Sequence, residues 1–470
     1  MEFSSANFIF FFLPVVFLLH LALPWRSVRN GLLVVASLVF YAWGNIYYVL
    51  LMVLSAFINY LFALGIEKKN REKEKAGKGL IAVALIFNVG LLAVFKYAAF
   101  AVTTVNDVFG ANISVPRMSS PIGISFFTFQ AMSYLIDTYR GSIKPTRNYG
   151  RFLLYISFFA QLVQGPIIRY SSIEKELYER KPTAEGMADG IRNFVIGLAM
   201  KLIIANTMGR VTAHIYGLES SSLNAAYAWA GAFSFLLQIY FDFAGYSRMA
   251  VGLGKAFGFT IPENFDHPYI SCSITEFWRR WHITLSAWFR DYVYIPLGGN
   301  RKGSLRTGVN KIIVFLLTGL WHGANWTYVV WGAYNGAFLL GENYAKKSRF
   351  RLPKAVTWLY TIIAVMVGFV IFNSPDMAYA WAMVKNMFTG FGIGADTIAD
   401  LSAVFKPKII AISVIGIVSA TPAAKMLCAR LDKKPMLQAA VRYGAAAVLL
   451  IVCLFYIASG NYNPSIYSQF

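Results

Sequence analysis

Apolar runs recur along the whole chain and decide what it can become. Runs long enough to cross a bilayer, or nearly so, are Phe8–Leu23, Gly31–Trp43, Tyr47–Ile66, Leu80–Val102, Ile122–Ile136, Phe152–Ile168, Phe194–Ala205, Ala225–Ala244, Ile312–Leu340, Val356–Phe372, Ile409–Ala420 and Ala445–Ala458. A crossing helix needs about 20 apolar residues, with about 17 a working minimum. Shorter runs persist where neighbouring helices shield them from lipid. Of the 470 residues 57% are hydrophobic and 14% charged, and the mean hydropathy is +0.53. The expectation is an all-α integral membrane protein with about 11–13 spanning helices. The first run has no basic residue before it and no small-residue cleavage site after it, so it reads as a retained span. Cys272, Cys428 and Cys453 have neither paired nor metal-like spacing. No disulfide framework is expected, and Cys453 reads as a small packing residue.

A net charge of +21 suits nucleic acid in a soluble chain. Here the basic residues sit in short loops between apolar runs, the pattern that orients membrane proteins, which argues against a nucleic-acid partner. Lys68–Lys78, Arg140–Arg151, Lys346–Lys354 and Lys425–Lys434 are the basic loops after the third, fifth, ninth and eleventh runs. Placing all four in the cytoplasm leaves the amino terminus and the tail after Ala458 outside. The run Ile312–Leu340 breaks the alternation, because Arg301, Lys302, Arg306 and Lys311 precede it and another basic loop follows. Two short helices meeting at Trp321-His322-Gly323-Ala324-Asn325, entering and leaving on the cytoplasmic side, reconcile both flanks. His322 then lies near mid-membrane depth, where irregular backbone needs protein or a water-filled cavity around it. The stretch Tyr170–Lys181, charged with both signs, reads as a solvated loop, and Ser374–Lys408 as an external loop with an amphipathic helix.

Two of the five histidines, His282 and His322, lie forty positions apart, each just after a tryptophan. Titratable groups inside a membrane are costly and are functional candidates by default. Ser273-Ile-Thr-Glu276 resembles a capping box opening a helix over Glu276–Tyr292. On that helix His282 shares a face with Trp278, Leu285 and Phe289, so a buried histidine bonded to backbone stays open as its reading. Arg279 and Arg280 read as interfacial residues with their heads in water. Gly323 permits close approach of a ligand to the backbone beside His322. A neutral imidazole there is suited to take a proton from a hydroxyl; a helix-breaking histidine bonded to a neighbour is the alternative. No metal-ligand spacing surrounds either histidine, and there is neither a Gly-rich phosphate loop nor a serine nucleophile elbow.

The segments Pro121-Ile-Gly-Ile-Ser-Phe-Phe-Thr-Phe-Gln130, Gln164-Gly-Pro166, Phe241-Asp-Phe-Ala-Gly-Tyr246, Asn264-Phe265, Phe277-Trp-Arg-Arg-Trp-His-Ile-Thr-Leu-Ser286, Tyr294-Ile-Pro-Leu-Gly-Gly-Asn300 and Leu320-Trp-His-Gly323 resemble the bacterial membrane-bound O-acyltransferases of the alginate O-acetyltransferase type. That group is related to the teichoic acid D-alanyl transfer proteins. The resemblance covers nearly the whole chain. It implies a ring of helices around a thinned centre with short re-entrant helices, a cytoplasmic opening for an acyl donor and an outer opening for the acceptor. It implies His322 as the catalytic histidine and His282 as a second active-site residue. The tail Asn461-Tyr-Asn-Pro-Ser-Ile-Tyr-Ser-Gln-Phe470 is similar to the family's carboxy-terminal tyrosine motif, with Tyr467 at the acyl-carrying position and serines in place of flanking aromatics. The domain reading is an acyltransferase domain over 1–458 and an external tail over 459–470.

On this reading the protein sits in the bacterial cytoplasmic membrane. It takes acetyl from a cytoplasmic thioester, acetyl-CoA or an acyl carrier protein, with no permanently bound cofactor. His322 is expected as general base. His282, with Asn325, orients the donor or stabilises the oxyanion. Trp321, Trp278 and Arg279 join Asn325 as expected substrate contacts, and Tyr467 relays the acyl group outward. The end acceptor is a hydroxyl of an extracellular polysaccharide or cell-wall polymer, reached through an exported SGNH-like transferase. D-alanyl transfer to teichoic acid, a transporter with histidine proton relays, and a non-catalytic scaffold remain rivals.

Overall fold

A computed structural model describes residues 1–72, 76–345, 352–430 and 434–460. Helices connected by turns and irregular segments make up the described residues, with no strand among them. Among the described residues five helices are long and apolar enough to cross a membrane: Ile46–Arg71, Gly77–Phe109, Ala184–Tyr216, Lys354–Asn373 and Pro435–Ala458. The helices Ala395–Val404 and Pro407–Ser419 meet at 72° and together make a sixth candidate. The other apolar runs of the sequence appear as shorter or more polar elements, such as the helical stretch Phe8–Ala22. Contacts divide the described chain into two compact units. One lies within Met1–Phe194 and Ser247–Pro262, the other within Val195–Tyr246 and 263–460.

In the first unit the helices Ile46–Arg71 and Gly77–Phe109 exchange amide hydrogen bonds across their seam. Asn59 Nδ2 donates to Asn88 Oδ1 at 3.2 Å, and Asn88 Nδ2 donates to Asn59 Oδ1 at 2.7 Å. Such pairs satisfy buried polar groups that lipid cannot. The helix Ile124–Tyr139 packs beside them around a fully buried aromatic group of Tyr134, Phe152, Tyr155 and Tyr170. Two sequence expectations fail here. The run 152–168 is not one span, because its helix, Tyr149–Ser157, stops and an irregular buried segment follows. That segment folds back tightly: Gly165 N donates to Gln161 O at 3.0 Å, and a Cβ on Gly165 would lie 2.3 Å from Gln161 Cα. Gly123, at φ 77°, lies against the same segment, where a Cβ would meet Leu162 O at 2.5 Å. The stretch 170–181 is not a solvated loop either. It carries the helix Tyr170–Glu179, which buries Tyr170, Ile173 and Leu177 at spacings of three and four.

The second unit is built on a helical hairpin, Gly303–His322 and Trp326–Ala345. Glycines form its seam. A Cβ on Gly308 would meet Leu340, on Gly336 Ile312, on Gly332 Phe315 O at 2.4 Å, and on Gly319 Tyr328 O at 2.2 Å. As one number rises the other falls, so the arms are antiparallel, and their backbones approach as only small residues allow. This agrees with the chain turning back at 321–325. The arms are full helices of 20 residues each rather than short ones. The stretch 374–408 holds two helices, Met377–Thr389 and Ala395–Val404. A buried ion pair joins Lys201 to Asp242, an expensive arrangement unless well compensated. Cys453 is fully buried, in keeping with a packing role.

Candidate active site

The Ser273 half of the expected capping box forms, and the Glu276 carboxylate reaches one residue further back than the reciprocal bond of a capping box would. Ser273 Oγ accepts from Glu276 N at 3.0 Å, while Glu276 Oε2 accepts from Cys272 N at 3.0 Å. Glu342, near the end of the hairpin, caps the same helix by accepting from Thr275 N at 2.9 Å and Thr275 Oγ1 at 2.6 Å. The helix expected over 276–292 is broken, however. Ile274–Arg280 ends before Trp281, and Ile283–Phe289 begins after His282, whose φ of 47° and ψ of 52° are left-handed. The cause lies upstream. Asp266 N donates to Arg280 O and Ile283 N to Asn264 O, each at 3.0 Å, so the irregular stretch 264–266 takes the backbone groups a continuous helix would use. A non-glycine residue held at positive φ is a local cost characteristic of functional sites.

His282 is 1% exposed. Its ring meets Phe243 edge-on at 4.7 Å and Trp321 at 5.8 Å, and Nδ1 lies 3.3 Å from Asn264 Oδ1. His322 ends the first arm of the hairpin and is 4% exposed. Trp321, Trp331 and Phe372 surround its ring at 4.9, 5.3 and 5.1 Å, each close to perpendicular. Trp321 thus lies against both histidines. Gly323 is required here by space: a Cβ would come 2.2 Å from the Tyr328 ring, and that ring packs on Phe372 at 4.9 Å.

The remaining expected residues divide. Trp278 is buried, donates from Nε1 to Asn335 Oδ1 at 3.1 Å, and stacks edge-on against Trp331 at 5.6 Å. Arg279 is exposed. Asn325 works as a cap: Oδ1 accepts from Thr327 N at 3.1 Å, and Nδ2 donates to Pro375 O at 3.0 Å. Its donor is therefore engaged by protein backbone. Tyr467 and the tail 461–470 lie outside the described residues. Asn264, Thr284 and Asn335 went unrecognised as site residues. Asn264 and Thr284 lie in the segments Asn264-Phe265 and Phe277–Ser286 that carry the family resemblance, and no spacing signal marks Asn335.

A cavity of about 630 Å³ opens beside this cluster, with Trp278, Arg279, Arg290, Tyr294, Lys311 and Thr318 among its walls. That volume lies within the usual range for small-ligand sites. Arg290 is held by Asp291 through two hydrogen bonds, 2.7 and 3.0 Å. Thr318, on the cavity wall, stands one helical turn before His322. Among the described residues no group of three metal-ligating side chains occurs.

Helical throughout the described residues and with five helices of membrane-crossing length and hydropathy among them, the chain is of the multi-pass membrane class and carries two buried histidines at helix breaks. The sequence profile of MBOAT, the membrane-bound O-acyltransferase family, matches residues 142–375, a stretch that holds both histidines. The chain belongs to this family and is a membrane-bound O-acyltransferase. It is 41% identical over 398 residues to the probable alginate O-acetylase AlgI of Pseudomonas aeruginosa, covering 83% of this chain and 75% of that one. It is 37% identical over 425 residues to the peptidoglycan O-acetyltransferase of Helicobacter pylori, covering 82% and 79%. The teichoic acid D-alanyltransferase of Bacillus subtilis is 31% identical over 266 residues, covering 54% and 67%.

Proposed function

We propose that this enzyme moves an acetyl group from a cytoplasmic thioester to hydroxyls of an extracellular polysaccharide or cell-wall polymer, with His322 as general base. The carrying observation is the burial of the His322 ring in an aromatic box at a hairpin tip. His322 follows Lys311 by eleven residues, about 16 Å of helix. With Lys311 at the cytoplasmic interface, that places the ring about halfway through a hydrocarbon core of about 30 Å. The cavity suits a donor carrying phosphate, whether coenzyme A or the arm of an acyl carrier protein, with the cations Arg279 and Lys311 among its walls. Trp278 lines the cavity and packs edge-on against Trp331, which in turn faces the His322 ring. Imidazole removes the hydroxyl proton as the oxygen attacks the thioester carbonyl. The tetrahedral intermediate then collapses with loss of thiolate, which takes the proton. Support for acetyl and for a polymer acceptor comes from the names of the relatives in Pseudomonas and Helicobacter. An exported partner transferase and a relay through Tyr467 belong to the same proposal, as do the cytoplasmic membrane and external termini.

His322→Ala should reduce alkali-labile acetate on the surface polymer by more than about a hundredfold, with the protein still present in the membrane fraction. Full ester content in that variant discards the mechanism. Tyr467→Phe should abolish transfer if the relay operates and leave it intact if the tail carries nothing. Likeness to the Bacillus relative makes D-alanine the second reading, and alanine rather than acetate in the alkaline release would select it.

A further inference from the structure

Three donors converge on one atom, Asn264 Oδ1. Thr284 N and Thr284 Oγ1 approach it at 3.0 Å each, and His282 Nδ1 at 3.3 Å. A backbone N–H only donates, so the atom facing Thr284 N is the amide oxygen and not its nitrogen, which fixes the orientation of the Asn264 side chain. An amide oxygen only accepts, so the His282 nitrogen against it carries a proton. In a neutral imidazole the other nitrogen is then a lone pair. That atom, His282 Nε2, is buried and has no hydrogen-bond partner in the described protein, and neither does Asn264 Nδ2. Buried polar groups left unsatisfied are rare and call for an explanation. His282 Nε2 is an acceptor, and a hydroxyl supplies the donor it lacks.

We propose that Asn264 is a positioning residue that holds His282 in the Nδ1–H tautomer, so that His282 Nε2 accepts a hydrogen bond from the hydroxyl of the incoming acceptor. The assignment deepens the acyl-transfer reading and rests on it for the identity of the alcohol. It also redirects the role of His282. Stabilising an oxyanion needs a donor, and the one N–H of this ring is committed to Asn264. The fold supports the device mechanically: Asn264 O also receives Ile283 N at 3.0 Å, so the same residue sets both the left-handed turn at His282 and the proton on its ring. Orientation of an imidazole through its second nitrogen is a general means of fixing what the first presents.

Solid-state NMR of the full-length protein in bilayers, labelled with ¹⁵N-histidine, reads the tautomer directly. The difference between wild type and His282→Gln isolates the two nitrogens of His282. The expected result is a protonated Nδ1 and an unprotonated Nε2. Asn264→Ala should move the proton to Nε2 in a substantial fraction of molecules, while Asn264→Asp, which keeps an accepting oxygen, should retain the wild-type pattern. In cells, Asn264→Ala should lower polymer ester content by about tenfold or more at equal protein level, and Asn264→Asp should recover part of it. A proton on Nε2 in wild type, alone or in an imidazolium, overturns the proposal. So does an unchanged ester content in an Asn264→Ala protein whose tautomer has shifted. The tautomer measurement needs no turnover, so failure of the acetyl-transfer reading would leave that result standing and remain distinguishable from it.

Discussion

The two histidines reach their places by different local means. His322 stops a helix and faces three aromatic rings, whereas His282 occupies a left-handed turn between two short helices. The sequence marks His322 clearly, because Gly323 and Asn325 interrupt an apolar run whose basic flanks ask for a turn. It misplaces His282, because Phe277-Trp-Arg-Arg-Trp-His-Ile-Thr-Leu reads as uninterrupted helix. What breaks that helix is Asn264, eighteen residues earlier, and no local pattern carries such information. Asn325, a polar residue beside His322, caps the second arm of the hairpin and bonds the backbone of Pro375. The tight fit around His322 gives a test at this scale. Gly323→Ala would put a methyl 2.2 Å from the Tyr328 ring, which leans on Phe372 and through it on His322. Displacement of that stack should cut turnover about tenfold to a hundredfold with the protein still folded, as read by ester content at matched expression.

Among elements, the hairpin is the best predicted and the most tightly built. Charge asymmetry announced its turn, but hydropathy alone could not announce its length, since Gly303–Lys311 is polar and still helical. Elsewhere hydropathy misled. It carried the sixth run through Gln161, Gln164, Gly165 and Pro166, where the chain leaves the helix. Mixed charges in 170–181 hid the stripe of Tyr170, Ile173 and Leu177 that makes a packed helix. The glycine seam supplies the test proper to this scale. Gly319→Ala and Gly332→Ala should each destabilise the protein by about 1–3 kcal/mol, because the new methyls meet backbone oxygens at 2.2 and 2.4 Å. Gly341→Ala, with nothing within 4 Å of its Cβ, should instead be neutral or raise the melting temperature slightly, since alanine favours helix. Thermal unfolding in detergent separates the three variants.

For the whole molecule, the sequence established the helical class and the membrane habit, and the family profile agrees. Among the described residues five helices satisfy length and hydropathy together, or six with the bent pair, and other apolar runs belong to short helices, bends or buried irregular backbone. Sidedness is open to direct measurement. In a cysteine-free background, single cysteines at Ser304 and Tyr344, near the two ends of the hairpin, should both react with a membrane-impermeant maleimide only from the cytoplasmic face. Modification of one from outside would require the arms to run through the bilayer separately. The glycine seam has a further mechanical meaning. Two rods whose backbones touch over most of their length leave no slot between them for a polymer strand, and they cannot part without losing that contact. The pair therefore behaves as a fixed post bearing His322 at its tip. If the proposed chemistry occurs there, access must come from rearrangement of other segments around the post, and a covalent staple across the seam should leave catalysis unharmed.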